Sequence, residues 1–153
     1  MNYWLFKSEP DAFSIDDLQS MKGKRDHWDG IRNYQARNLM RDEMSKADTG
    51  FFYHSSCKVP GIVGTVEVVK EAYPDHTAWD PESSYYDPKS TSDNPRWMMV
   101  DVKFLQKFHR VISLKELREV KGLEDMVLLQ KGSRLSIQPV TERQWQVIHS
   151  LLD

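Results

Sequence analysis

The sequence predicts a mixed α+β domain built on a curved or barrel-like sheet. Three observations predict it. Aromatic and β-branched runs with period-two alternation fill the middle of the chain, several helix starts carry side-chain caps, and the two kinds of segment follow the order β, α, α, several β, α, β, α. A chain of 153 residues, 39% of them hydrophobic, suits a single domain spanning 1–153 that buries roughly 70% of its unfolded surface without staples.

Each element has its own signal. Tyr3 to Phe6 is a short apolar run closed by Glu9-Pro10 and reads as a strand entering the core. Ser14 followed by Asp17 starts a helix with Leu18 and Met21 on its inner side. Asn33 caps a second helix in which Ala36, Leu39, Met40 and Met44 recur at helical spacing, while Arg37 and Arg41 share the outer side. Phe51 to Ser56 and Ile62 to Ala72 read as strands joined by a turn over Lys58 to Gly61, with Val66 and Val68 on one face and Thr65 and Glu67 on the other.

The stretch from Tyr73 to Asn94, with Pro74, Pro81 and Pro88 among acidic residues and tyrosines, reads as a long loop. Alternation resumes at Trp97, placing Met98, Val100, Val102 and Phe104 on one face. Ser113 with Glu116 predicts a capping box for a helix using Leu114, Leu117 and Val120, stopped by Gly122. From Ser133 to Val140, Leu135 and Ile137 point one way while Arg134, Ser136 and Gln138 point the other, a polar row suited to lining a pocket. Thr141 with Gln144 caps a last helix that docks through Trp145, Ile148 and Leu152.

Charge and composition bound the function. The net charge of -2 argues against bulk coating of nucleic acid, but the distribution is uneven. Lys22 to Arg41 holds six basic residues against two acidic, a balance of +4; Glu71 to Asn94 holds six acidic residues against Lys89, a balance of -5. One region suits phosphates and the other repels them, which fits a small oriented footprint. Cys57 is the single cysteine, so no internal disulfide forms, and a reducing compartment is expected. No basic leader precedes Tyr3-Trp4-Leu5-Phe6 and no apolar run approaches the ~20 residues of a membrane span. The expectation is a soluble cytoplasmic protein with access to the nucleoid and no membrane partner.

Trp28-Asp29-Gly30-Ile31-Arg32-Asn33-Tyr34-Gln35-Ala36-Arg37-Asn38 is the most informative stretch. Stacking surfaces beside planar donors and acceptors are what a protein uses to hold an unstacked nucleobase, so the segment points to nucleic acid or a nucleotide-like ligand. The alternative is a capped helix with solvated arginines. His27, His54, His76, His109 and His149 are scattered and Cys57 lacks a partner, so no metal or other cofactor is expected.

Lys7-Ser8-Glu9-Pro10, the Trp28 to Asn38 segment, Phe52-Tyr53-His54-Ser55-Ser56, Pro60-Gly61-Ile62-x-Gly64, Tyr86-Asp87-Pro88-Lys89, Pro95-Arg96-Trp97 and Gly132 to Val140 together resemble the EVE domain. The resemblance runs in order through seven blocks. It implies a PUA-like fold and recognition of a modified base, with modified cytosine (5-methyl or 5-hydroxymethyl) in DNA as the leading ligand. Modified RNA is the second possibility, because single strands avoid the cost of extracting a base. An amidohydrolase acting on modified cytidine, as in the related ASCH class, is the third. Lys7, Glu9 and His54 would then supply acid–base chemistry, but no catalytic residue is assigned.

For a base reader, Trp28, Tyr34 and Trp97 are the candidate walls. A cytosine edge offers an amino donor and two acceptors, so Asn33 and the hydroxyls of Ser8, Ser55, Ser56 and Ser133 are candidates for that edge. Arg32, Arg134 and His54 complete the expected ligand-binding set. Lys24, Arg25, Arg37 and Arg41 are expected at phosphates.

Overall fold

The computed structural model describes residues 1–153. Six strands form one open, curved sheet: β1 (Tyr3–Ser8), β2 (Arg25–Trp28), β3 (Thr49–His54), β4 (Gly61–Pro74), β5 (Met98–Ser113) and β6 (Ile137–Val140), in the order β2-β5-β4-β3-β1-β6. β1 and β3 run parallel, with Ser8 opposite His54 at their carboxyl ends. All other neighbours are antiparallel. Four helices flank the sheet: α1 (Ile15–Ser20), α2 (Tyr34–Asp42), α3 (Leu114–Arg118) and α4 (Glu142–Ser150). None is long and apolar enough to cross a membrane.

The sheet is buried on both faces. Trp4, Phe6 and Phe52 point into one core with Ile15, Leu18, Met40, Val66, Val68, Val100 and Val102. Leu5, Phe51 and Tyr53 point into the other with Ile62, Ile112, Leu117 and Ile148. This is why β1 and β3 are continuous apolar runs, as in strands covered on both sides. Met98 and Phe104 pack beside Val100 and Val102 as the alternation predicts.

The caps behave as local chemistry dictates. Ser14 and Thr141 form complete capping boxes with Asp17 and Gln144, and the Asn33 side chain accepts from the Ala36 N–H. At α3 the box is half formed. Ser113 accepts from the Glu116 N–H, but the Glu116 carboxylate is drawn to Arg110 at 2.7 and 3.0 Å. That helix ends at Arg118, well before Gly122. Met21, expected inside, is exposed at the C-cap, and Ile15 takes the inner position.

Three further differences matter for the site. Arg25 to Trp28, to which the sequence reading assigns no element, is a strand on the sheet edge, paired with Val100–Lys103. Strand β6 begins at Ile137, so Ser133 to Ser136 is an irregular approach. Its polar row splits: Arg134 and Ser136 face a cavity, whereas Gln138 is buried and donates to the Leu135 carbonyl. Of the stretch 73–94, Tyr73 and Pro74 end β4, and the rest is a packed strap rather than a free loop, with a 3-10 turn over His76–Trp79 and with Asp75, Ala78 and Ser90 buried.

Gly64 sits where β4, β5 and α1 meet. A Cβ there would collide with the Gln106 carbonyl and with Ile15 Cδ1. Backbone on one side and a fully buried side chain on the other leave little room to yield. Gly64→Ala is expected to lower stability by about 2 kcal/mol, seen as a lower urea midpoint with an unchanged slope.

Candidate nucleic-acid interface

The carboxyl ends of the parallel strands β1 and β3 open into a cavity of about 710 Å³. Five of its six lining segments are Lys7 and Ser8 at the end of β1 with Glu9 beyond it; Ala12 and Phe13 before α1; Asp26 to Ile31 from β2 onward; Ser55 and Ser56 after β3; and Ser133, Arg134 and Ser136 before β6. Tyr85 reaches in from the strap. The site thus lies beyond strand carboxyl ends, where diverging loops leave a crevice.

Trp28 forms a wall from within the core. It is 6% exposed, and its ring meets Phe6, Phe13 and Phe52 at 5.2 to 6.1 Å in edge-on geometry. Tyr85 is 39% exposed and lies across Gly30. A Cβ on Gly30 would fall 2.6 to 2.8 Å from three atoms of the tyrosine ring, and Gly30 has φ +79. Both facts favour glycine, since an L side chain is strained at that dihedral and would push the Tyr85 ring off the turn.

The Asp75 carboxylate, with its side chain 0% exposed, fixes the turn against the strap. It accepts from the Gly30 N–H at 2.9 Å, from Arg32 Nη1 at 3.0 Å, and from the Thr77 N–H and hydroxyl. Arg32 also donates to the Tyr85 carbonyl at 2.7 and 3.0 Å. Burial alone pushes the Asp75 carboxyl up, but Thr77, Gly30 and Arg32 outweigh it and hold it below the ordinary carboxylate value. Arg32 therefore positions the Tyr85 wall and lies outside the cavity lining.

Polar groups in the cavity are unevenly satisfied. The Ser8 hydroxyl donates to the Phe13 carbonyl at 2.6 Å, leaving its lone pairs available. The buried Ser133 hydroxyl has no partner. Neither Lys7 nor Arg134 takes part in an ion pair, and burial lowers the Lys7 pKa. Burial raises the Asp29 carboxyl, against the opposing pull of His27, whose Nε2 lies 3.6 Å away. A pocket holding a free hydroxyl, two free cations and a carboxylate can meet acceptors and donors on one planar ligand.

The structure therefore gathers Ser8, Trp28, Ser55, Ser56, Ser133 and Arg134 around one cavity. Arg32, Asn33, Tyr34, His54 and Trp97 lie outside its lining. Asn33 is committed to capping α2. His54, lowered by burial, accepts the Ile15 N–H through Nε2 at 3.1 Å. Trp97 is buried and donates to Asp87 at 2.7 Å. Among the residues expected at phosphates, Arg25 faces Asp101 at 3.4 Å, Lys24 lies over Phe104, Arg41 pairs with Asp42, and the Arg37 guanidinium lies 4.7 Å from the Tyr34 ring centroid. No group of three or more His, Cys, Asp or Glu side chains is placed to hold a metal.

Comparison with known proteins gives this geometry a family. Residues 2–151 match the EVE domain. The chain belongs to the EVE domain family. Thymocyte nuclear protein 1 of Rattus norvegicus is 47% identical over 98% of this chain and 73% of its own length, and that of Homo sapiens is 44% identical over the same shares. A crystal structure of a Pseudomonas syringae protein superposes with a TM-score of 0.95 at 52% identity, covering 99% of each chain. Human THYN1 protein in complex with 5-methylcytosine containing DNA superposes with a TM-score of 0.94 at 43% identity, covering 100% of this chain and 98% of that one.

Tyr85, Lys7, Asp29 and Ser136 are lining residues of this EVE domain that sequence reasoning did not place at the base. Ser136 was read as part of a pocket-lining polar row and Lys7 only as an acid–base candidate, and the fold brings both to the cavity. For Tyr85 the strap had to be positioned first.

Removing the Asp75 carboxylate strands four donors in a buried turn. Asp75→Ala is expected to cost about 3 kcal/mol, the low end for a broken buried pair because Arg32 is partly exposed. Because the folded carboxyl binds its proton less tightly than the unfolded one, its contribution is present above the ordinary value of 3.8 and fades as pH falls from there toward the folded value. Urea midpoints taken from neutral pH down to about 3 should show this acid-side decline in the wild type and a shallower one in Asp75→Asn.

Proposed function

We propose that this EVE domain is a non-catalytic reader of modified cytosine in DNA, holding one base extruded from the stack in the cavity beside Trp28 and Tyr85. The observation that carries this reading is the cavity itself. It joins aromatic surface to polar groups that include an unpaired hydroxyl, in a chain that superposes over its whole length on human THYN1 protein seen with 5-methylcytosine containing DNA. Its volume of about 710 Å³ suits a small planar ligand.

Extracting a base from a duplex costs a few kcal/mol. Stacking offsets ~1 to 3 kcal/mol per base, and hydrogen bonds to the base edge supply the rest. Cytosine presents one amino donor and two acceptors. The Asp29 carboxylate is the acceptor for the amino group, and the Ser133 hydroxyl and Lys7 are donors for the acceptor edge. A methyl group at C5 needs only a small apolar niche, which gains at most ~1 to 3 kcal/mol. Preference over plain cytosine is therefore modest.

Thymine carries the same methyl group but places a carbonyl where cytosine has its amino group. An ionised Asp29 repels that carbonyl, so rejection of thymine rests on charge where preference for the methyl rests on packing. The reading as a binding module is supported by His54, whose ring nitrogen is occupied by a backbone N–H. Cys57 is free and lies outside the cavity lining.

Fluorescence anisotropy at fixed salt, with one duplex carrying cytosine, 5-methylcytosine, 5-hydroxymethylcytosine or thymine at a single position, tests the reading. The expected result is a several-fold preference for a modified cytosine, diminished in Ser133→Ala. Equal affinity for cytosine and both modified forms, or tighter binding of an equal-length RNA carrying 5-methylcytidine, overturns it. In Asp29→Asn the discrimination against thymine should collapse by about tenfold, because an amide can donate to the thymine carbonyl. Unchanged discrimination there removes Asp29 from the base edge.

A further inference from the structure

Base reading in the cavity leaves an aromatic stack beside it without a task. Tyr34 is 50% exposed at the start of α2. Its inner face lies on Trp97, with centroids 4.7 Å apart and planes 27° from parallel. Trp97 is 5% exposed and its indole N–H is held by Asp87, so the platform under Tyr34 is fixed.

With Trp97 covering the inner face, the half-exposed Tyr34 side chain offers its outer face to solvent and to its arginine neighbours. The Arg37 guanidinium lies 4.7 Å from the Tyr34 centroid and 6.0 Å from that of Trp97. A cation on the far face of Tyr34 would lie about twice the stacking distance from Trp97, so Arg37 flanks the pair and does not cap it. Arg37 is anchored to the Arg96 carbonyl at 2.9 Å and to Asn38. Arg96 Nη1 lies 3.5 Å from the Tyr34 hydroxyl. An exposed ring therefore carries two guanidinium groups at its edge.

This stack is continuous with the cavity. The Arg32 guanidinium lies 5.6 Å from the Tyr85 ring, which lines the cavity, and 5.6 Å from the Trp97 ring. Those steps and the 4.7 Å step to Tyr34 put Tyr34 no more than about five nucleotides from Tyr85 at a stacked rise of ~3.4 Å. An apolar protein segment laid on Tyr34 would leave both guanidinium groups facing no anion. A nucleotide supplies a π face for the ring and a phosphate for the arginines.

We propose that the outer face of Tyr34 is a second stacking site, taking an unpaired base of the same DNA a few nucleotides from the base in the cavity, with Arg37 and Arg96 at the adjoining phosphates. The inference rests on the cavity being a DNA base site. Every base has a π face, so this second site adds affinity without choosing sequence or modification. Tyr34 is thereby separated from the base-reading set in which proximity to Trp28 in the sequence placed it.

The test pairs Tyr34→Ala and Tyr34→Trp with the modified and unmodified duplexes, and adds a duplex carrying 2-aminopurine two to five nucleotides from the modified cytosine. Circular dichroism checks that both variants fold. Tyr34→Ala is expected to weaken both duplexes at least about 5-fold with their affinity ratio unchanged, and Tyr34→Trp to restore binding. The 2-aminopurine emission should be quenched in the wild-type complex relative to the Tyr34→Ala complex. Unchanged affinity with unchanged emission overturns the second site. A loss confined to the modified duplex also overturns it, by making Tyr34 part of base recognition. If the wild type shows no preference among cytosines, the cavity reading has failed, and the emission comparison still decides what Tyr34 does.

Discussion

The cavity wall depends on one buried carboxylate. Asp75 accepts from the backbone of Gly30, from Arg32 and twice from Thr77, and so ties the turn after β2 to a strap that starts 45 residues later in the chain. In a site closed to water each of these bonds is strong because no solvent competes, and each lost partner is costly for the same reason. Arg32 carries the constraint onward to the Tyr85 carbonyl. The Tyr85 ring then lies on Gly30, where a side chain would displace it. Remove the carboxylate, and the turn, the arginine and the aromatic wall lose their common anchor together.

This dependence explains what could be read from the sequence and what could not. The caps of Ser14, Asn33 and Thr141 were legible because each involves residues three positions apart. At Ser113 the same rule was half right, since Arg110 competes for Glu116, and Arg110 belongs to the preceding strand. The strand at Arg25 to Trp28 was hidden because it is short, charged and on the edge, where pairing with β5 decides the conformation. The strap was read as a loop because its tie to the rest of the fold runs from Asp75 to Gly30 and Arg32, which are distant in sequence.

The site divides along the same line. Ser8, Ser55, Ser56, Ser133 and Arg134 were legible through motif blocks resembling a family, and the fold brings them to one cavity. Tyr34 and Trp97 share that motif signal yet stand outside the lining, because Arg32 and Tyr85 come between Trp97 and the cavity. Motif proximity says that residues serve one ligand surface. It does not say which of them share a pocket.

A protein of net charge -2 that engages DNA must draw its affinity from few contacts, since it lacks the excess cations whose counterion release drives nonspecific binding. The structure suits that constraint. Several arginines are already engaged, by Asp75, Asp101, Asp42 and Glu116, which reduces the charge available for bulk attraction to DNA. Lys7 and Arg134 stay free of ion pairs where the base would enter. Discrimination by a methyl niche is intrinsically small, so weak background binding is what lets a modest preference for one base decide where the protein stays.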